Sequence, residues 1–167
     1  NPGPDWNPKQ RPGDNLYSDS AIALDVDTGE LKWHFQFTPN DPYDYDSVQV
    51  PVLVDRKWKG ENRKLMLWAN RNGYFYVLDR VTGDFLLGKP FVKVNWASGL
   101  DENGRPIQTP QPDGMPTYPG NQGGTNWYPP GYSPRTDLFY FSAWEDYATI
   151  YKPVSYTHLT LPTRCLV

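Results

Sequence analysis

The chain has 167 residues and a formal charge of -3, with 16 Lys and Arg scattered among 19 Asp and Glu. That length suits one ordinary domain, and without a basic run the sequence predicts no phosphate-binding face and no nucleic-acid partner. No stretch approaches the roughly 20 apolar residues of a membrane-spanning helix, and aromatics at 16% beside 14 Gly and 18 Pro favour short strands and turns, so an all-β fold is expected.

The chain opens on Asn1-Pro2-Gly3-Pro4-Asp5-Trp6-Asn7, without Met or a leader, and the expectation is that the true N-terminus lies upstream. After Arg11-Pro12-Gly13-Asp14-Asn15, the segment Ala23 to Trp33 (ALDVDTGELKW) sets apolar-led strands on both sides of an Asp-Thr-Gly turn and predicts a hairpin. Thr38 to Asp46 reads TPNDPYDYD. Strand-like runs follow at Gln49 to Asp55, Lys64 to Asn70 and Tyr74 to Asp79, the last two joined by a tight turn at Asn72-Gly73.

Val77 to Leu87 (VLDRVTGDFLL) is a second copy of the hairpin, its Asp79, Thr82 and Gly83 each 54 residues after Asp25, Thr28 and Gly29. Asp and Thr can bond the turn's own amides and Gly accepts positive φ, so the repeat has a local cause. A period of that size, with several short strands per unit, is what a propeller blade produces. Asp101 to Tyr132, rich in Gly, Pro and Asn, reads as one long loop of the kind that builds sites on rigid scaffolds. Asp137 to Trp144 (DLFYFSAW) is expected to be a strand of the next blade, giving roughly two blades and part of a third.

Pro153 to Val167 (PVSYTHLTLPTRCLV) resembles translated sequencing-adapter sequence and is set aside as a non-native tail. With it go the only Cys, Cys165, and one of two His, His158. The remaining residues 1–152 therefore exclude a Cys/His zinc site, a disulfide framework and a Cys nucleophile. A Ser-His-Asp triad would need His34, which sits in a strand pattern (LKWHFQF) that suits a packed or surface imidazole.

Ala23, Asp25, Thr28, Gly29 and Trp33 fit the docking pattern A-x-D-x-x-T-G-x-x-x-W, which the second copy departs from with Val77 and Leu87. With the Asn1–Asn7, Arg11–Asn15 and Thr38–Asp46 motifs, the chain resembles the PQQ-dependent (quinoprotein) alcohol and methanol dehydrogenases over about residues 1 to 151. The resemblance implies a fragment of an eight-bladed β-propeller of four-stranded antiparallel sheets, in which the Trp of one blade packs on the turn of its neighbour. Asn40 stands where the family usually has His.

Position by position, the resemblance implies that Asn1 is an amide ligand of the catalytic cation and Asp44 the base that also faces the metal. It makes Asp46 the extra carboxylate of lanthanide-dependent members, and a trivalent ion rewards another anionic oxygen. Arg71, in Asn70-Arg71-Asn72-Gly73, matches the cation that contacts the quinone, and Asn126 and Trp127 match a later loop approaching the cofactor. The implied reaction is oxidation of a small primary alcohol by hydride transfer to pyrroloquinoline quinone (PQQ) with a lanthanide ion or Ca2+. A cytochrome c acceptor and a periplasmic location are implied as well. Two other readings stay open. A non-catalytic propeller scaffold explains Asp25, Thr28, Gly29 and Trp33 equally well, and the Trp and Tyr around Tyr118 to Tyr132 suggest a carbohydrate-binding module. The fragment by itself is expected to be inactive, because a partial propeller leaves sheet edges and apolar faces open.

Overall fold

The computed structural model describes residue 3 and residues 7–152, so the tail assignment at 153–167 and the metal assignment at Asn1 lie outside the described residues. The fold is all-β, as expected. A hairpin of β1 (Ser20–Leu24) and β2 (Leu31–Gln36) precedes a four-stranded antiparallel sheet of β3 (Val52–Trp58), β4 (Glu61–Ala69), β5 (Tyr74–Asp79) and β6 (Phe85–Pro90). Short pairs complete it: β7 (Ala97–Leu100) with β8 (Pro106–Gln108), β9 (Pro116–Thr117) with β12 (Thr149–Ile150), and β10 (Gly131–Ser133) with β11 (Leu138–Tyr140). No helix among the described residues is long and apolar enough to cross a membrane.

The centre of the four-stranded sheet is buried on both faces, which is why the second half of β4 (Leu65 to Ala69) and β5 read as near-continuous apolar runs. Met66, Trp68, Tyr74, Tyr76 and Leu78 point to one side, where they meet Ala21, Phe35 and Phe37 of the first hairpin and its exit. Leu65, Leu67 and Val77 point to the other, toward Tyr132 and Phe139 of β10 and β11. One complete blade thus sits between parts of its neighbours. At roughly 25 cal/mol per Å2 of apolar surface buried, this layering is the main source of cohesion.

Both Asp-x-x-Thr-Gly turns fold alike. Asp25 Oδ1 accepts the amide of Thr28 at 3.0 Å and the Gly29 amide reaches Asp25 O at 2.9 Å. In the second copy Asp79 Oδ1 accepts the Val81 amide at 2.9 Å and the Gly83 amide reaches Asp79 O at 2.8 Å. Gly29 and Gly83 take φ of 74° and 82°. The docking contact is present: Trp33 lies over the second turn so closely that a Cβ on Gly83 would fall 2.7 Å from its ring, and its Nε1 donates to Arg80 O at 3.2 Å.

The expected loop at Asp101 to Tyr132 is interrupted by β8, β9 and the start of β10, and of the run Asp137 to Trp144 only Leu138–Tyr140 pairs. These strands have two or three residues each, too few for a period-two pattern to show in the sequence.

Candidate active site

The segment after β2 alternates. In Asp41-Pro42-Tyr43-Asp44-Tyr45-Asp46, Asp41, Tyr43 and Tyr45 are buried while Asp44 and Asp46 are half-buried. Tyr43 and Tyr45 pack on Trp96 with ring centroids 5.6 and 5.5 Å away, so the aromatic side chains anchor the segment and the two carboxylates project from its other side. Asp44 holds φ at 63°, a left-handed conformation that non-glycine residues rarely adopt. Asn40, the position where the resemblance leads one to expect His, also has positive φ, at 49°, which Asn tolerates well. Its Nδ2 donates to Arg11 O at 2.8 Å and Gly13 O at 2.7 Å, tying the preceding loop to this one.

Arg71 comes from the β4–β5 turn. Gly73 supplies φ of 94° there, and Asn72, fully buried, closes the turn by accepting the Tyr74 amide at 3.0 Å. Asn72 Nδ2 also donates to Phe37 O at 3.1 Å and to the Tyr76 hydroxyl at 3.0 Å, which fixes the turn against the exit of β2. The result brings together three residues singled out by the sequence. Arg71 Nη2 is 3.4 Å from Asp44 Oδ2, and Nη1 is 3.5 Å from Asp46 Oδ2.

A third segment holds the guanidinium from behind. Nε and Nη2 of Arg71 donate to the main-chain carbonyl of Asn121 at 3.0 and 2.6 Å, and the Gly124 amide donates to Arg71 O at 3.0 Å. Asn121 is itself anchored, accepting at Oδ1 from the Tyr147 hydroxyl at 2.8 Å. Asn126 lies two residues past Gly124 and is buried, with Nδ2 donating to Gln122 O at 3.0 Å and Oδ1 accepting the Trp127 amide at 2.9 Å. Trp127 is 65% exposed and packs on Tyr128 at 4.8 Å. His34 is exposed on β2, edge-on to Tyr17 at 4.9 Å.

Asp41 and Asp19 lie deeper. Burial above all, then the negative charges of Asp41 and Asp46 and a hydrogen bond with Asp41, push the Asp19 carboxyl up to about 8. Burial, and next the charge of Asp41, push the Tyr43 hydroxyl up to about 12, so Tyr43 remains a neutral phenol. The region therefore carries four carboxyl groups beside two buried guanidiniums, Arg71 at Asp44 and Asp46, and Arg11 at the Asp41 main chain, and its carboxylates are hard oxygen donors of the kind a multivalent cation takes. Among the described residues no cluster of three or more His, Cys, Asp or Glu has metal-binding geometry, so Asp44 and Asp46 would supply part of a coordination sphere. A guanidinium beside them offers N–H donors to an anionic or carbonyl oxygen. The residues present thus fit both a cation and a quinone. Asp41, Asn72 and Asn121 were not singled out from the sequence. The Asn-x-Asn-Gly turn was a signal for Asn72, whereas Asn121 acts through a main-chain carbonyl that every residue possesses.

The sequence model of the β-propeller domain of glucose, ethanol and alcohol dehydrogenases matches residues 1–95. The quinohemoprotein alcohol dehydrogenase of Comamonas testosteroni is 47% identical over 148 residues, covering 84% of this chain and 21% of its own length. The 1-butanol dehydrogenase (cytochrome c) of Thauera butanivorans is 47% identical over 145 residues, covering 83% and 21%. The crystal structure of the Comamonas enzyme superposes with a TM-score of 0.78 at 46% identity over 83% of this chain and 22% of that one. A europium-containing methanol dehydrogenase gives 0.77 at 39% identity over 83% and 25%. The chain spans about a fifth of the length of the curated relatives it matches.

Proposed function

Because this chain belongs to the family defined by the glucose/ethanol/alcohol dehydrogenase β-propeller domain, we propose that the full-length protein carrying it is a PQQ-dependent alcohol dehydrogenase that oxidises a small primary alcohol to an aldehyde. The observation that supports this most is the convergence of Asp44, Asp46 and Arg71 from separate segments, with Arg71 buried between the two carboxylates. A bare scaffold has no need of that arrangement.

When bound, PQQ supplies an ortho-quinone that accepts hydride, and a lanthanide or calcium ion polarises its carbonyl. Asp44 receives the proton of the alcohol hydroxyl on its carboxylate, which requires hydrogen-bond reach to the substrate. Arg71 directs N–H groups toward the oxygen where negative charge develops, and its bonds to Asn121 O keep it there without reorganisation. Asp46 adds an anionic oxygen to the cation's ligands, a contribution worth most for a trivalent ion. Asn1, outside the described residues, would add an amide oxygen, and Asn126 and Trp127, in the loop that follows Gly124, would border the cofactor. The name of the Thauera relative includes cytochrome c, which supports a cytochrome c as electron acceptor here. A periplasmic location goes with that partner.

The test is alcohol-dependent dye reduction by the full-length protein reconstituted with PQQ and either lanthanum or calcium, beside Asp46→Ala. Activity with lanthanum that is lost in the variant supports both the reaction and the role of Asp46. Activity with calcium alone leaves the dehydrogenase and removes the lanthanide, and no activity with either ion overturns the reading in favour of a scaffold.

A further inference from the structure

We propose that Asp41 is a positioning residue for the Asp44 and Asp46 pair, its buried carboxylate holding the main-chain amides on both sides of Asp44. The inference rests on the reading of Asp44 and Asp46 given above.

Asp41 has no exposed surface. Its Oδ1 accepts the Tyr43 amide at 2.7 Å and its Oδ2 accepts the Tyr45 amide at 2.5 Å. Tyr43 and Tyr45 are the neighbours of Asp44, whose φ of 63° is a strained choice for a residue with a side chain. Such a conformation persists only where the surroundings over-determine it. Here the surroundings act on every adjacent group: Tyr151 donates its hydroxyl to Tyr43 O at 3.2 Å, Tyr45 donates its hydroxyl to Pro119 O, and an Arg11 guanidinium N–H donates to Asp41 O. The two aromatic rings pack on Trp96, whose Nε1 donates to Asn72 O at 2.9 Å in the turn that carries Arg71. The carboxylate segment is therefore joined to the guanidinium turn through the two tyrosines whose amides Asp41 holds.

The residue type follows from the geometry. Two buried amides need two acceptor oxygens on one short side chain, and only a carboxylate offers both. An amide side chain would place an NH2 group against one of the two N–H donors, leaving a buried donor unsatisfied. Groups that hold metal-binding carboxylates in place typically affect metal affinity by about 10- to 100-fold.

The experiment uses the full-length protein. In the wild type, amide hydrogen exchange at Tyr43 and Tyr45 is expected to be at least about a hundredfold slower than in an unstructured peptide, and exchange at peptide rates overturns the proposal whatever the enzyme does. Asp41→Asn is expected to weaken terbium binding, read as aromatic-sensitised luminescence without PQQ, by about tenfold or more. With PQQ and metal it is expected to lower kcat by about a hundredfold while KM stays within about threefold. Asp41→Glu, which keeps both acceptor oxygens, is expected to recover part of each loss. A folded Asp41→Asn protein with wild-type terbium affinity and wild-type kcat overturns the proposal. Should that variant fail to fold, the exchange measurement on the wild type decides. A wild type without alcohol-dependent activity overturns the dehydrogenase reading instead, and the exchange rates still judge Asp41.

Discussion

Arg71 and Asp44, 27 residues apart in the chain, meet with Nη2 3.4 Å from Oδ2, and the same guanidinium reaches Asp46 at 3.5 Å. Two readings of this contact differ in what removing the cation would do. If Arg71 serves only to neutralise the carboxylates, a bound metal could replace it. If it stabilises charge on the reacting oxygen, its loss slows the chemical step whether or not the metal is bound. Arg71→Gln in the full-length protein is therefore expected to lower kcat by about a hundredfold or more, while terbium binds as tightly as before or more tightly because a competing positive charge is gone. Steady-state kinetics beside a luminescence titration separate the two, and an unchanged kcat would remove Arg71 from the chemistry.

The close approach of the 120–124 turn to Arg71 depends on one missing side chain. A Cβ on Gly123 would fall 2.2 Å from Arg71 Cγ and 2.4 Å from Arg71 O, and Gly123 has φ of 82°. Backbone cannot yield as a side-chain tip can, so Gly123→Ala must push the turn away and lengthen the bonds from Arg71 to Asn121 O. The left-handed φ alone costs about 1–2 kcal/mol, and the displacement is expected to lower kcat by about tenfold or more. A crystal structure of the variant with the turn unmoved would contradict this.

The contact between Trp33 and Gly83 is expected to act on stability alone. Trp33→Ala removes a partly buried indole and its bond to Arg80 O, a loss of about 2 kcal/mol. Gly83→Ala places a methyl group 2.7 Å from the ring. The two changes should be strongly non-additive, since the clash of the second vanishes once the ring is gone. Thermal inactivation of both single variants and the double variant checks this, with kcat near wild type in Trp33→Ala.

Much of the fold was legible because its causes are local. The run Tyr74 to Asp79 coincides with β5, and the two Asp-x-x-Thr-Gly turns repeat because side chains within each turn satisfy its own amides. Side chains of unusual type within a motif pointed to Asp44, Asp46 and Arg71, and the fold brings these three together. The site was illegible where the work is done by the main chain or by long-range packing. The Asn121 carbonyl that holds Arg71 lies 50 residues away from it, and nothing in DPYDYD distinguishes Asp41, which turns inward, from Asp44 and Asp46, which do not.

The buried Asp19 gives the metal-free protein a pH dependence whose sign is fixed by the direction of its shift. Burial first, and then the charges of Asp41 and Asp46, push its carboxyl up to about 8, against about 3.9 in an unfolded chain. Below about pH 4 the group is protonated in both states, and its favourable contribution is fully present. Between about pH 4 and about pH 8 the folded state keeps a proton that the unfolded state releases, so stability falls as pH rises, by up to about 1.4 kcal/mol per unit. Asp19 is also the residue whose Oδ2 is buried without a hydrogen-bond partner among the described residues, which leaves an ionised form poorly solvated. Asp19→Asn keeps the shape and removes the titration. Melting temperatures of the full-length, metal-free protein measured from pH 5 to 8 should therefore decline in the wild type and decline less in the variant, and parallel profiles would mean that Asp19 is ionised throughout and that the decline belongs to other groups.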